Sequence, residues 1–156
     1  MTGKAILFVT RNGHSKAIAE TAGKLFGADV FEIGDLVDRK GLFGYVKSGF
    51  QASTKKATAI RDPGVDLAKY ATLVLVQPVW ASAVCPPLRT WLCAHEKELS
   101  GKRVGLIVSQ KGNSAERVRA AYEVEFGPLS AFTNILELDG TEEKTRKLAA
   151  FAALLA

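Results

Sequence analysis

Short apolar runs alternate with amphipathic helical stretches along this 156-residue chain. The first run, residues 5–9, is continuously apolar, as expected for a strand covered on both faces. A repeated β-α pattern predicts a parallel sheet, and right-handed crossovers leave few possible strand orders. We therefore predict a doubly wound α/β fold with five parallel strands in the order 2-1-3-4-5 and helices on both faces. The other strands are predicted at residues 28–33, 72–76, 103–108 and 132–138.

The spacing of apolar side chains indicates where the helices lie between these strands. Pro86 and Pro87 suit a first helical turn, because proline needs no N–H partner there. Residues 51–64 hold few large apolar side chains, and we predict a loop or flap there. The predicted helices cover residues 15–26, 42–50, 86–99, 115–126 and a segment that begins after Asp139-Gly140-Thr141.

Length and composition indicate one domain over residues 1–156, because 47% of the residues are hydrophobic and can fill one core. No apolar run approaches the roughly 20 residues of a membrane span, and the first residues lack the apolar stretch of a secretory signal. We therefore expect a cytoplasmic protein with no membrane partner. Cys85 and Cys93 are the only cysteines, and their spacing fits no metal-ligand set, so we expect reduced thiols.

The net charge is +5, and many of the basic residues lie in the segment 39–61. A solvated face is the simplest interpretation of this segment. The alternative is a docking surface for an acidic partner protein or a phosphorylated ligand. Nucleic acid is not expected, because the segment lacks the interleaved aromatic residues of a stacking surface.

The first strand leads into a small polar turn at a helix start, which is a natural site for an anion. Backbone N–H groups and the positive end of the helix dipole point into such a turn. Glycine lets the backbone approach a ligand closely, and hydroxyl and amide side chains add donors. A simple helix cap, formed by His14 or Ser15, would need the same residue types. The predicted phosphate-binding residues are Thr10, Arg11, Asn12, Gly13, His14 and Ser15.

Two further loops, residues 77–84 and 109–114, should reach the same sheet edge, at the switch point between the first and third strands. We expect the ring of Trp80 to project outward after Pro78 ends the strand, where it could stack on a planar ring. A core position for Trp80 is the alternative. The predicted site residues are Pro78, Val79, Trp80 and Ala81 from the second loop and Ser109, Gln110, Lys111 and Gly112 from the third.

These motifs, in this order and at these distances, resemble those of the flavodoxin family over nearly the whole chain. Residues 10–15 match the family's phosphate loop, Ser/Thr-x-Thr-Gly-x-Ser/Thr, with Asn12 in place of the middle hydroxyl. Residues 70–81 resemble the third strand and its Pro-x-Trp flavin loop. The following helix is similar at residues 86–92, and the fourth strand with the third loop at residues 101–112.

The resemblance implies a bound FMN, with its phosphate on residues 10–15 and its ring between Trp80 and residues 109–114. Backbone N–H groups near Ala81 and Gly112 would tune the ring. The family's activities imply either an electron carrier for a redox partner protein or an NAD(P)H-dependent oxidoreductase for a small quinone- or flavin-type acceptor. Hydride transfer to a flavin needs no side-chain acid or base, so no catalytic residue is predicted.

Three features depart from the family pattern. The chain is basic, whereas flavodoxins are typically acidic, and its third loop has no tyrosine to cover the ring. The segment 40–62 is long and aromatic enough to cover the ring instead. Ala81 stands where carrier flavodoxins often have glycine. Glycine tolerates the backbone flip that stabilises the one-electron semiquinone, whereas alanine disfavours it, so the semiquinone should be weakly stabilised. We therefore expect mainly two-electron chemistry.

Two other functions remain open at this point. The scaffold could serve as a binding module without flavin, because a fold does not establish a function. Protoporphyrinogen oxidases of the same family have a similar phosphate loop, but they carry a long insertion near the fifth strand. The short span between Gly112 and Phe132 leaves no clear room for that insertion.

Overall fold

Five parallel strands form the central sheet in a computed structural model that describes residues 3–37 and 57–156. The strands of this described part are β1 (Gly3–Phe8), β2 (Asp29–Glu32), β3 (Gly34–Asp35), β4 (Ile60–Arg61), β5 (Tyr70–Pro78), β6 (Arg103–Gln110) and β7 (Ala131–Leu136). The order in the sheet is β2-β1-β5-β6-β7, and β3 and β4 pair only with each other. The predicted order 2-1-3-4-5 is therefore confirmed, with β2 at an edge of the sheet.

As the β-α alternation predicted, helices connect β1 to β2, β5 to β6 and β6 to β7. The helices within residues 3–37 and 57–156 are α1 (His14–Phe26), α2 (Pro86–Ala94), α3 (Glu96–Leu99), α4 (Ala115–Phe126) and α5 (Thr141–Leu154), with a 3-10 turn at Leu67–Lys69. The single helix predicted at 86–99 is wrong, because it breaks at His95, whose φ of −111° and ψ of 13° lie outside the helical region. Within residues 3–37 and 57–156, no helix is long and apolar enough to cross a membrane.

The sheet is covered on both faces, and each face has its own apolar core. Leu73 and Leu75 of β5 belong to one cluster, with side chains of α2 and α4, while Val74 and Val76 belong to the other, with side chains of α1 and α5. This alternation follows from the two-residue period of a strand. Gly105 in β6 allows α5 to approach closely, because a Cβ there would lie 2.5 Å from the Phe151 ring.

A short antiparallel hairpin flanks the segment that the structure does not describe. Gly34 pairs with Arg61 and Asp35 with Ile60, so the loop predicted at 51–64 is wrong for residues 60–61. Backbone pairing between β3 and β4 forms the strand at residues 60–61, although the sequence around it has few large apolar residues. The predicted helix at 42–50, the proposed aromatic cover and most of the basic segment lie outside the described residues.

The structure shifts two strand ends at the site edge of the sheet. Ser109 and Gln110 belong to β6, not to a loop, because Ser109 pairs with Pro78 and Gln110 with Leu136. Strand β7 ends at Leu136, two residues before its predicted end at 138. The side chain of Asp139 stabilises the end of the strand, because its Oδ2 accepts a hydrogen bond from the Leu136 N–H at 2.9 Å. In β6, the polar residues Ser109 and Gln110 interrupt the apolar sequence pattern, but the backbone pairing of the strand continues through them.

Candidate functional site

An open cavity of about 530 Å³ lies at the carboxyl ends of β1, β5 and β6. This is the switch point of the sheet, where α/β proteins of this topology bind ligands. The volume falls within the range of roughly 300–1,000 Å³ that is typical of small-molecule sites. Residues from all three predicted loops line the cavity, so the topology brings together what the sequence placed far apart.

The first loop gives the start of α1 the geometry of an anion site. Gly13 precedes the helix with a left-handed φ of 91°, a conformation that glycine adopts without steric cost. Its N–H donates to Thr10 Oγ1 at 3.0 Å, and the N–H of His14 donates to Asn12 Oδ1 at 3.3 Å. Helix geometry leaves the next two N–H groups of the first turn without a partner inside α1. These groups lie at the positive end of the helix.

Neither His14 nor Ser15 caps this helix. Helix α1 has Gly13 at its N-cap position and no side-chain cap hydrogen bond among the described residues. The side chain of Ser15 is buried, so the serine does not offer its hydroxyl at the surface of the turn. The glycine therefore supplies the turn, and the ordinary capping interpretation of these two side chains is wrong.

The second loop turns back after β5 and buries Trp80. The Ala83 N–H donates to the Trp80 carbonyl oxygen at 3.3 Å, which closes a tight turn. Trp80 is only 6% exposed, so the prediction that its ring projects outward is wrong. The turn returns the chain over the core, where Trp80 joins the cluster that contains Val84 and Cys85. Trp80 still forms part of the cavity wall.

Gln77 fixes this loop from the strand beneath it. Its fully buried side chain donates from Nε2 to the carbonyl oxygens of Pro78 and Ala83, both at 3.2 Å. Its Oε1 accepts a hydrogen bond from the Cys85 N–H at 3.0 Å. A satisfied buried amide is a directional constraint, so β5 holds the loop in one conformation.

Two residues of the turn have left-handed backbone conformations that favour glycine. Ala81 has a φ of 51° and Ser82 a φ of 54°. Each such conformation costs a non-glycine residue about 1–2 kcal/mol. Ala81 therefore carries such a penalty in this turn. The expectation of mainly two-electron chemistry stays a prediction.

Glu137, directly after β7, connects the first and third loops. Its Oε2 lies 3.3 Å from His14 Nε2 and 3.6 Å from Lys111 Nζ, and its side chain is largely buried. A carboxylate therefore lies beside Lys111 in the wall of a cavity that Arg11 also lines. Sequence reasoning missed Glu137 because it extended the fifth strand to residue 138. An acidic residue at the carboxyl end of a strand was the available signal.

The structure brings most of the predicted site residues to this cavity. Thr10, Gly13, Ser15 and Ala81 do not line it, and His14 lines a neighbouring cavity of about 240 Å³ between α1 and α5. Ser114 and Glu137 line it without having been predicted. The predicted residues on its wall are Arg11, Asn12, Pro78, Val79, Trp80, Ser109, Gln110, Lys111 and Gly112.

Comparisons with known proteins support the architecture. No protein-family model matches the sequence, and no curated protein matches it significantly. A flavoprotein from Lactobacillus acidophilus NCFM, solved in complex with FMN, is 16% identical with a TM-score of 0.72, over 87% of this chain and 91% of its own. A protein from Bacteroides eggerthii with a provisional flavoprotein assignment is 15% identical with a TM-score of 0.81, over 100% of this chain and 99% of its own.

A third solved structure belongs to a flavodoxin. It is a short-chain flavodoxin associated with a bacterial microcompartment, 15% identical with a TM-score of 0.55, over 99% of this chain and 97% of its own. This chain therefore has the flavodoxin-like α/β fold.

Proposed function

We propose that this protein binds FMN in the 530 Å³ cavity and uses it to transfer electrons. The observation that carries the proposal is the meeting of three loops and the start of α1 at one switch-point cavity. A helix start suits a phosphate, and a cavity wall with a tryptophan suits a planar ring. The FMN complex of the similar Lactobacillus protein adds support.

The residues present fit this cofactor. Arg11 and Lys111 supply positive charge beside the helix start, and Gly13 keeps the backbone of the turn open to a ligand. Gln110, which also lines the cavity, has a buried side-chain oxygen without a hydrogen-bond partner among the described residues. Such an atom is uncommon in a folded protein and calls for a partner that the chain itself does not supply.

FMN would supply the hydride or electron transfer, so the chain's own residues have to bind and orient it. The first turn of α1 would hold the phosphate, with Thr10 and Asn12 fixing the shape of that turn. Trp80, held in place through Gln77, would form a rigid wall for the ring. No acid or base is assigned, because none is needed for transfer to a flavin.

We propose that electrons leave at the open side of this cavity, toward a redox partner protein or a small quinone- or flavin-type acceptor. NAD(P)H is the proposed donor for the enzymatic form of this activity. The basic character of the chain favours an acidic partner for the carrier form. Two measurements distinguish the carrier from the enzyme: oxidation of the reduced holo-protein by quinones, and reduction of the oxidised holo-protein by NADH or NADPH.

A titration with FMN and riboflavin tests the binding proposal. Both flavins have the same ring, so the difference in affinity measures the phosphate contribution. We expect riboflavin to bind roughly a hundredfold more weakly, because two charge-assisted hydrogen bonds are worth ~3 kcal/mol or more. Equal affinities would show that the start of α1 is not a phosphate site.

A second candidate function, a module without flavin, is favoured by two features of the site. Trp80 is buried, and the Gly13 and His14 N–H groups already have partners within the loop. A protein of this kind would show no flavin absorbance after purification and no saturable change in flavin fluorescence.

A further inference from the structure

Gln110 lies at the end of β6, on the wall of the candidate FMN cavity. The residue is 6% exposed, so its side chain is almost completely removed from solvent. Its Oε1 is buried and has no hydrogen-bond partner within residues 3–37 and 57–156. This oxygen is an unused acceptor in a side chain that lines a ligand-sized cavity.

The neighbouring strand shows what a structural glutamine looks like in this fold. Gln77 lies near the end of β5 and uses both of its polar atoms, in three hydrogen bonds to the loop above it. Gln110 lies at the same edge of the sheet, and the fold leaves its oxygen unused. A buried acceptor without a partner destabilises a fold. Packing would be better served by an apolar side chain of similar size.

We propose that Gln110 is a specificity-determining residue that hydrogen-bonds to the imide edge of the flavin ring. The imide presents an N–H between two carbonyl groups, and a primary amide is its complement, with one donor and one acceptor side by side. A half-turn of the amide exchanges its oxygen and nitrogen without changing its shape. Gln110 can therefore present either atom to the cavity.

This inference rests on the proposed FMN function and adds the group that recognises the ring. The start of α1 would recognise the phosphate, and any flavin or other planar ring could rest on Trp80. Hydrogen bonding to the imide excludes rings that lack a donor between two acceptors. Sites built around such buried polar groups reject analogues that leave those groups unpaired.

The experiment compares FMN with its N3-methyl analogue, in which the imide N–H is replaced by a methyl group. Both ligands are titrated into the full-length wild-type protein and into Gln110→Leu. We expect the wild type to bind the methylated analogue at least tenfold more weakly than FMN, a difference that ~1.4 kcal/mol produces. In Gln110→Leu the two affinities become equal within about twofold, because FMN binding weakens.

Two controls separate recognition from folding. Lys111→Leu changes the next residue of the same wall, and we expect it to keep the tenfold discrimination even if both affinities fall. Denaturant unfolding should show Gln110→Leu to be at least as stable as the wild type, because the fold does not use the amide. By contrast, Gln77→Leu should be clearly less stable.

Each outcome is decisive. Wild-type protein that binds FMN tightly but does not discriminate against the methyl group overturns the role of Gln110 and leaves FMN binding intact. Discrimination that persists in Gln110→Leu also overturns it, since another group then recognises the imide. Wild-type protein that binds no FMN removes the proposed function, and this inference with it.

Discussion

The Glu137 carboxylate lies 3.3 Å from His14 Nε2, so the end of the fifth sheet strand is linked directly to the first residue of α1. The same oxygen lies 3.6 Å from Lys111 Nζ. Glu137 therefore places a negative charge beside the helix start that we propose to hold a phosphate. Because like charges repel, the carboxylate and the phosphate should compete for Lys111.

Glu137→Gln tests this competition. The substitution removes the negative charge and leaves His14 and Lys111 to face the phosphate. We expect FMN affinity to rise about two- to fivefold, with riboflavin affinity unchanged, since partly exposed charge pairs are worth ~0.5–1 kcal/mol. Glu142→Gln, in the exposed first turn of α5, is the matched control and should change neither affinity. A fall in FMN affinity would instead mean that Glu137 holds the loops together.

Gly13→Ala tests the left-handed turn at the start of α1. A Cβ at position 13 would contact nothing within 4 Å, so the cost comes from the φ of 91° alone. Gly127, which ends α4, also has a φ of 91° and open space, and lies outside the cavity lining. We expect Gly13→Ala to lose about 1 kcal/mol of unfolding free energy. Gly127→Ala should lose about 1–3 kcal/mol, because its ψ of 179° places it in a region that essentially only glycine occupies. Only Gly13→Ala should weaken FMN binding. A similar loss of FMN affinity in Gly127→Ala would contradict the assignment.

Ala81→Gly tests the strain in the Trp80 turn. Glycine relieves the left-handed cost of ~1–2 kcal/mol but adds entropy to the unfolded chain, which offsets part of the gain. We therefore expect a net stabilisation of about 0.5–1 kcal/mol in chemical denaturation. Ala83→Gly, two residues further on at a position without positive φ, should instead destabilise the protein. Destabilisation by both substitutions would show that the turn stores no relievable strain.

His95 predicts a pH dependence of stability away from the cavity. Its Nε2 lies 2.7 Å from Asp62 Oδ2 and its Nδ1 lies 2.9 Å from Glu98 Oε1. Burial alone would lower the pKa of His95, but the hydrogen bonds to both carboxylates outweigh it and raise the pKa above its usual value of 6.5. Burial of Asp62 acts to raise its pKa, and the hydrogen bonds from His95 and the Gly64 N–H lower it overall.

The sign of the effect follows from these shifts. Protonated His95 stabilises the folded state fully below about pH 6.5, and this contribution is lost as the pH rises through the raised folded pKa. The contribution of Asp62 is present above its usual pKa and is lost as the pH falls through the lowered one. Unfolding free energies at about pH 6 and pH 9 should therefore differ less in His95→Gln than in the wild type. Glu96→Gln, which removes a charge next to His95 but no partner of it, should keep the wild-type difference.

The alternation of apolar runs was sufficient to predict the sheet and the place of the cavity. Parallel strands bring their carboxyl ends to one edge, so loops far apart in sequence had to meet there. The burial of Trp80 could not be predicted in this way, because it depends on a tight turn through Ala81 and Ser82. Those residues do not favour positive φ, and hydrogen bonds formed in the fold, from Ala83 N–H to Trp80 and between Gln77 and the loop, identify the turn.

The ends of the strands could also not be predicted from the pattern of apolar residues. Ser109 and Gln110 interrupt the apolar run but keep their backbone pairing with β5 and β7. Glu137 acquires its role from two side chains that lie far from it in sequence. A pattern of hydropathy records which residues are apolar, whereas these features depend on partners that the fold supplies.

Because Cys85 is buried, the rate at which its thiol is labelled can report the motion of the cavity wall. Cys93 is exposed on α2, whereas Cys85 lies fully buried at the end of the Trp80 loop. A thiol-reactive dye can therefore modify Cys93 immediately, but it reaches Cys85 only when the loop lifts away from the sheet. The rate of the slow labelling phase reports how often the loop opens, and a molecule bound against the loop would lower that rate.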